Sequence, residues 1–285
     1  MHTFPWAAEL ITRALHEDLG HADITAAALV PATARATAEI IARQATVAAA
    51  LPIAAQVFTT VDPQAVCQLL VDEGTRVAAD TVLLRVSGSA RALLSAERVA
   101  LNIAQRACGI AELTATFVAA VAHTRATILD TRKTTPGLRM LEKYAVRTGG
   151  GTNHRFGLYD AVLIKDNHLA FLASTGATIA DAIQRARQYV GPLVIIEIEV
   201  ETVEDAQRAA EAGADMIMLD NMTLAALRCA VTAIAGRARV EASGGVSLST
   251  VRAIAETGVD YISVGALTHS ARAADLSLDL VATIR

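Results

Sequence analysis

Residues 193–221 read LVIIEIEVETVEDAQRAAEAGADMIMLDN, and this stretch decides the fold. An apolar run, Leu193-Val194-Ile195-Ile196, gives way to Glu197, Glu199 and Glu201. Residues 203–212 come next, with helical spacing of their apolar positions. A second run, Met216-Ile217-Met218-Leu219, ends at Asp220-Asn221. Strand, helix and strand of ordinary length make the repeating unit of a parallel sheet with crossover helices.

The unit recurs on both sides. Further apolar runs are Thr127-Ile128-Leu129, Ala161-Val162-Leu163-Ile164, Arg239-Val240-Glu241-Ala242 and Tyr261-Ile262-Ser263-Val264. Helical patterns lie at 180–189, 224–235 and 248–257. Six such units are too many for a small sheet and point to a βα barrel, or most of one, over residues 125–270. Spacing alone also admits a doubly wound open sheet. Upstream, 4–19 reads as a helix with Trp6, Leu10, Ile11 and Leu15 on one face. A strand is expected over 35–42, and Pro52 opens a helix. Two short strands at 66–71 and 81–86 flank the turn Asp72-Glu73-Gly74. A long helical stretch over 90–121 carries Gly109, which predicts an interruption there. The tail, 270–285, reads as one more helix.

Composition narrows the classes. The chain has 285 residues, 53% hydrophobic, but 60 are alanine and only 4% are aromatic. No run of eighteen apolar residues argues for a membrane span. Residues 1–6 lack a basic region followed by an apolar stretch, so no signal peptide is expected. The net charge of −4 is spread along the chain, which argues against a nucleic-acid partner. Cys67, Cys108 and Cys229 are odd in number and far apart, which fits buried thiols in a reducing cytoplasm rather than disulfides or zinc. Of 25 basic residues only three, Lys133, Lys143 and Lys165, are lysine, and all lie in one short segment. The arginine bias is compositional background, but the clustering marks a place where arginine does not replace a compact ammonium.

In a βα barrel the active site gathers at the C-terminal ends of the strands. The apolar runs here end in Asp130-Thr131-Arg132-Lys133, then Lys165-Asp166-Asn167-His168, then Glu197, Glu199 and Glu201, then Asp220-Asn221. Ser243-Gly244-Gly245 and Gly265-Ala266 close the series. Arg132, Lys133, His154, Arg155 and Lys165 make a cationic side suited to carboxylates and phosphates. Glu199 and Asp220 make an anionic side, which tolerates a polyanionic substrate when a hard cation such as Mg2+ lies between them. Glycine turns after late barrel strands bring backbone N–H groups close to a phosphate. Gly149-Gly150-Gly151, just before His154-Arg155, is read as letting main chain pass close to a ligand.

These residues, in this order, carry a resemblance. The run from Asp130-Thr131-Arg132-Lys133-Thr134-Thr135-Pro136-Gly137-Leu138-Arg139 through Leu141-Glu142-Lys143-Tyr144-Ala145-Val146 to Gly149-Gly150-Gly151-Thr152-Asn153-His154-Arg155 closely resembles the quinolinate phosphoribosyltransferase family. So do Glu97-Arg98-Val99-Ala100-Leu101-Asn102, Leu163-Ile164-Lys165-Asp166-Asn167-His168, Glu199-Val200-Glu201, Met218-Leu219-Asp220-Asn221, Glu241-Ala242-Ser243-Gly244-Gly245 and Val264-Gly265-Ala266-Leu267-Thr268-His269-Ser270. Cys108 and Met222 depart from the family's usual serine and phenylalanine, outside the motif residues.

The resemblance implies an α/β fold with three parts: an N-terminal α/β sandwich over 1–108, an incomplete (β/α) barrel over 109–269, and a C-terminal helix over 270–285 that packs back on the first domain. It implies a Mg2+-dependent glycosyltransferase that converts quinolinate and 5-phosphoribosyl-1-pyrophosphate to nicotinate mononucleotide, pyrophosphate and CO2, feeding NAD synthesis. It also implies a cytoplasmic homodimer with shared active sites. By the same resemblance Thr131, Arg132, Lys133, His154 and Arg155 belong to the quinolinate pocket, and Arg98 reaches in from the partner chain. Lys165 lies near ribose and pyrophosphate, Glu199 and Asp220 hold Mg2+ and the ribose hydroxyls, and Ser243, Gly244, Gly245, Val264, Gly265 and Ala266 cradle the 5′-phosphate. Lys133, Lys165, Glu199 and Asp220 are the catalytic candidates, and Lys143 is expected to line or support the basic pocket. A nicotinate phosphoribosyltransferase or the related protein encoded with molybdate transporters, a Schiff-base aldolase using Lys165, and an inactive binding protein are the competing readings.

Overall fold

The computed structural model describes residues 4–284; residues 1–3, part of the segment read for a leader, and residue 285 lie outside it. Backbone contacts gather the described chain into two compact units. One comprises the chain up to Ala115, Thr134–Gly150 and the segment from Thr268 onward; the other comprises Thr116–Lys133 and Gly151–Leu267.

The first unit begins with helices α1 (Pro5–Leu19) and α2 (Ile24–Leu29). Strand β1 (Arg35–Ala42), the short β2 (Thr46–Val47), helix α3 (Leu51–Val61) and strands β3 (Val66–Leu69), β4 (Arg76–Val77) and β5 (Val82–Ser89) come next. Helix α4 (Ala90–Val121) runs on from β5. In β1 every second residue, Ala36, Ala38, Ile40 and Ala42, is buried, the period-2 pattern of a sheet with one covered face. Helix α3 covers that sheet through Leu51, Ile53, Ala54, Val57 and Phe58. Its first turn is capped from a distance, because Ala50 has no side-chain acceptor: the Glu73 carboxylate takes the N–H groups of Ala50 and Leu51 at 3.0 and 2.9 Å.

The second unit holds β6 (Thr127–Leu129), β7 (Val162–Ile164), β8 (Ile196–Val200), β9 (Met216–Asp220), β10 (Arg239–Ser243) and β11 (Tyr261–Ser263). Helix α5 (Arg139–Thr148) falls between β6 and β7 in sequence but belongs to the first unit. Helices α6 (Asp166–Ala173), α7 (Ile179–Val190), α8 (Val203–Glu211), α9 (Leu224–Ile234), α10 (Val251–Ala255) and α11 (Ala266–His269) succeed the remaining strands. The sheet order is β6-β11-β10-β9-β8-β7, parallel throughout. From β7 to β11 each strand is added on the same side as the last, which is barrel winding; a doubly wound sheet reverses direction. The ring stays open between β6 and β7 among the described residues. Thr152 occupies that seam: it bridges Leu129, its N–H donates to Ile128 O at 2.9 Å, and its carbonyl accepts from Asp130 N at 3.2 Å.

Three expectations need correction. The tail is a strand, β12 (Leu276–Ile284), paired antiparallel with β1, so the first sheet runs β12-β1-β5-β3. Its Leu276, Leu278 and Leu280 alternate with Ser277 and Asp279, a period of two rather than 3.6. Helix α4 is continuous through Gly109: a Cβ there would collide with Arg272 O and lie 2.9 Å from the Arg272 carbonyl carbon, so the glycine admits a neighbouring chain and does not break the helix. The strand read from Leu193-Val194-Ile195-Ile196 starts at Ile196 and runs on through the glutamates. No helix among the described residues is long and apolar enough to cross a membrane.

Candidate active site

The strand ends of the second unit enclose a cavity of about 470 Å³. From the end of β6, Thr131, Arg132 and Lys133 line it, and Thr131 Oγ1 accepts the Lys133 N–H at 3.0 Å, which tightens the turn. From β7 comes Lys165. Its own N–H donates to His168 Nδ1 at 2.9 Å, so the start of α6 is tied locally. The Lys165 side chain then meets Glu199 across the strand gap, Nζ to Oε2 at 3.2 Å. Glu199 stands on β8 and Asp220 ends β9; Asn221 Nδ2 donates to Asp220 at 2.7 Å.

The turn Ser243-Gly244-Gly245 after β10 requires its glycines. Gly244 has φ +92° and Gly245 φ +61°. A Cβ on Gly244 would collide with Asn221 Oδ1 and come within 2.8 Å of Asn221 N. That same N–H donates to Ser243 O at 2.9 Å, so the ends of β9 and β10 close on each other here. Backbone exposed in such a turn suits an anion.

The seam segment completes the wall. His154 and Arg155 line the cavity. Asp130, fully buried, accepts from Asn153 Nδ2 at 2.6 Å and from His154 N at 2.9 Å. Burial, then the like charge of Arg132, holds the Arg155 guanidinium below its ordinary pKa, although arginine stays charged. The His154 ring faces two buried carboxylates, Glu197 Oε2 at 3.0 Å and Glu241 Oε2 at 3.5 Å. Burial opposes charge on that ring, while the two carboxylates favour a proton between them and the ring. Burial and the neighbouring Glu241 push Glu197 upward as well. Both shifts describe one event, the retention of an extra proton by a coupled trio; because His154 Nδ1 accepts the Arg155 N–H, that proton sits on the carboxylate pair and the ring stays neutral.

Of the residues singled out from sequence, eleven line this one cavity: Thr131, Arg132, Lys133, His154, Arg155, Lys165, Glu199, Asp220, Ser243, Gly244 and Gly245. Met218, Asn221 and Ser263 join them. Val264, Gly265 and Ala266 come after β11 but are outside the lining, and Val264 is buried. Arg98 lies on α4 in the first unit with its side chain 57% exposed. Lys143 is fully buried on α5 and does not line the cavity. The residue that sequence reasoning passed over is Glu241. Its place inside an apolar run, on the same strand as the Ser-Gly-Gly turn, was the available signal.

The donor set also fits a hard divalent cation. Glu199 and Asp220 offer carboxylate oxygens on adjacent strands at one cavity, and Mg2+ takes one or two carboxylates while substrate phosphates and water fill the rest.

Comparison with known proteins agrees with this geometry. Family models for the N-terminal and C-terminal domains of quinolinate phosphoribosyl transferase match residues 23–108 and 110–279. The nicotinate-nucleotide pyrophosphorylase [carboxylating] of Mycobacterium leprae is 44% identical, covering 97% of this chain and 98% of the relative. A probable enzyme of the same name from Bacillus subtilis is 43% identical over 95% of this chain and 92% of its own. The crystal structure of NadC from Streptococcus pyogenes superposes with a TM-score of 0.93 at 40% identity, covering 100% of this chain and 99% of that one. With both domain models matched and such identity over nearly the whole chain, the protein belongs to the quinolinate phosphoribosyltransferase family of decarboxylating glycosyltransferases.

Proposed function

We propose that the cavity joins quinolinate to 5-phosphoribosyl-1-pyrophosphate in a Mg2+-dependent reaction that yields nicotinate mononucleotide, pyrophosphate and CO2, the step that feeds NAD synthesis. The observation that carries this reading is the convergence of Arg132, Lys133, Arg155 and Lys165 with Glu199, Asp220 and the Ser243-Gly244-Gly245 turn on one cavity. Two anionic ligands need a cationic wall, and a ribosyl cation needs carboxylates nearby.

The pyridine nitrogen bonds to C1 of the ribose as the C1–oxygen bond breaks, and pyrophosphate leaves with that electron pair. Next the bond from C2 of the ring to its carboxylate breaks. The pair stays on the ring carbon, CO2 departs, and the carbon takes a proton. Arg132, Lys133, His154 and Arg155 orient the quinolinate carboxylates, with Thr131 shaping their turn. Lys165 gives up its partner Glu199 for the pyrophosphate, which frees Glu199 with Asp220 to face the ribosyl carbon as charge develops. Glu199 and Asp220 would hold Mg2+, which when bound neutralises leaving-group charge. Ser243, Gly244 and Gly245, with Val264, Gly265 and Ala266, take the 5′-phosphate.

The reading takes the working form to be a cytoplasmic homodimer in which Arg98 serves the partner's cavity. The exposed guanidinium and the absence of any close cysteine pairing in sequence support it. The test is a substrate panel. Quinolinate with phosphoribosyl pyrophosphate should turn over with Mg2+, stop on chelation, and exceed nicotinate. Mixing inactive R98A and K133A chains should restore activity, because a mixed dimer has one intact site. Preference for nicotinate, or no restoration, would refute the corresponding part.

A further inference from the structure

The segment 152–155 fills the open seam of the barrel, and it carries two residues of the cavity wall. A lone bridge between Thr152 and Leu129 is a weak anchor for a wall that must hold charge in place. The remaining hold comes from inside the barrel. Asp130 takes the main chain at His154 and the side chain of Asn153. Glu197 and Glu241, 2% and 0% exposed, flank the His154 ring at Nε2, 3.0 and 3.5 Å away. The ring in turn takes main chain: Arg155 N–H donates to His154 Nδ1 at 2.8 Å. Arg155 Nη1 donates to Ala161 O at 3.1 Å, which finishes the loop.

These contacts assign the ring's protons. Nδ1 accepts an N–H, so it carries none, and the ring proton lies on Nε2, which faces the two carboxylates at 3.0 and 3.5 Å. One histidine and two carboxylates within 4.8 Å of one another would otherwise be a set for a divalent transition metal. A metal on Nε2 would leave the ring's proton on Nδ1, pointing at the Arg155 N–H. The geometry therefore favours the hydrogen-bonded ring over the metal ligand. Glu241 does not line the cavity, its carboxylate oxygens have no hydrogen-bond partner, and the group they face is the His154 ring at 3.5 Å.

We propose that Glu241, together with Glu197, is a positioning residue for the transferase reaction: the pair holds His154 as its Nε2-protonated tautomer, and His154 holds the main chain of Arg155 in the wall that receives the substrate carboxylates. This rests on the proposed assignment of that wall to quinolinate. Removing the Glu241 carboxylate frees the ring to turn, and the ring then releases Arg155. The cost falls on quinolinate and spares phosphoribosyl pyrophosphate, whose groups are held on other strands.

The experiment uses the full chain in three forms, wild type, E241Q and E241L, read by steady-state kinetics and by 15N NMR of the histidine side chains, with H154N identifying the His154 signals. Wild type should show His154 protonated at Nε2 and bare at Nδ1 at neutral pH. E241L should raise the KM for quinolinate about tenfold or more, the loss of one close polar contact to a charged group, with the KM for phosphoribosyl pyrophosphate within about twofold. E241Q keeps an acceptor oxygen and should stay within about threefold of wild type on both. Protonated Nδ1 in wild type, or an E241L quinolinate KM equal to wild type, overturns the proposal. Stoichiometric binding of Zn2+ to wild type that E241L loses also overturns it, in favour of a metal site. Should E241L fail to fold, the wild-type tautomer and E241Q decide. A wild type inactive on quinolinate defeats the proposed reaction instead, and the His154 spectrum still decides the positioning.

Discussion

Replacing Gly244 with alanine strikes the turn where β9 and β10 close. Two costs add. At φ +92° an alanine backbone is strained by about 1–3 kcal/mol. The new Cβ collides with Asn221 Oδ1 and crowds Asn221 N, so Asn221 must move and its 2.9 Å hydrogen bond to Ser243 O is lost, about 1 kcal/mol more. The turn thus loses about 2–4 kcal/mol of preference for its native shape. If that shape is the one that binds the 5′-phosphate, the KM for phosphoribosyl pyrophosphate rises roughly 30- to 700-fold, since each 1.4 kcal/mol is tenfold. Gly245 is the internal control. Its φ of +61° is left-handed, but a Cβ there meets nothing within 4 Å. G245A should therefore cost only about 1 kcal/mol in backbone strain, a loss of roughly fivefold. Steady-state kinetics with each substrate varied, alongside thermal unfolding of both variants, makes the comparison. G244A no worse than G245A in stability and in KM would refute the reasoning, because the contact with Asn221 and the less favourable φ both single out Gly244.

Further predictions rest on the same contacts. K133A should lose activity severely, by a factor of about 100 or more if the lost contact is a charged one to a desolvated carboxylate, with an unchanged circular dichroism spectrum; near-normal turnover would contradict the cationic wall. E142A leaves the Arg106 guanidinium, which also donates to Thr268 O, without its buried carboxylate at 2.8 Å, and should cost about 3–5 kcal/mol in a urea titration. Burial pushes the Cys67 thiol up to about 11 and the Cys108 thiol up to about 12. Both therefore stay protonated through pH 9, and iodoacetamide should label only exposed Cys229 rapidly until denaturant is added.

Most of the barrel was legible because its strands are short, buried on both faces and separated by helices of ordinary length. Ile217 and Leu219 in β9, or Ile262 in β11, declare themselves as apolar runs. β8 was misplaced because Glu197 and Glu199 interrupt its apolar pattern: one is a buried carboxylate beside His154 and Glu241, and the other faces the cavity. No local rule shows that a glutamate points inward until its partner is known. β12 was misread because Leu and Ala suit a helix by propensity, while the strand is imposed by pairing with β1, some 240 residues away in sequence. Gly109 was read by propensity too, when the close approach of Arg272 explains it. Most of the charged site residues were legible because they lie at or just past the C-terminal end of a strand, as Arg132, Lys133, Lys165, Glu199 and Asp220 do, and parallel strands bring their ends together. Glu241 was not, since its role depends on a ring delivered from the seam.

The central claim is a coupled transfer and decarboxylation at one cavity, and labelled quinolinate tests it most directly. With 14C in the carboxylate at ring position 2, the protein should release one labelled CO2 for each nicotinate mononucleotide formed, and only when phosphoribosyl pyrophosphate and Mg2+ are both present. Label released without phosphoribosyl pyrophosphate, or nucleotide formed with the label retained, would contradict the account.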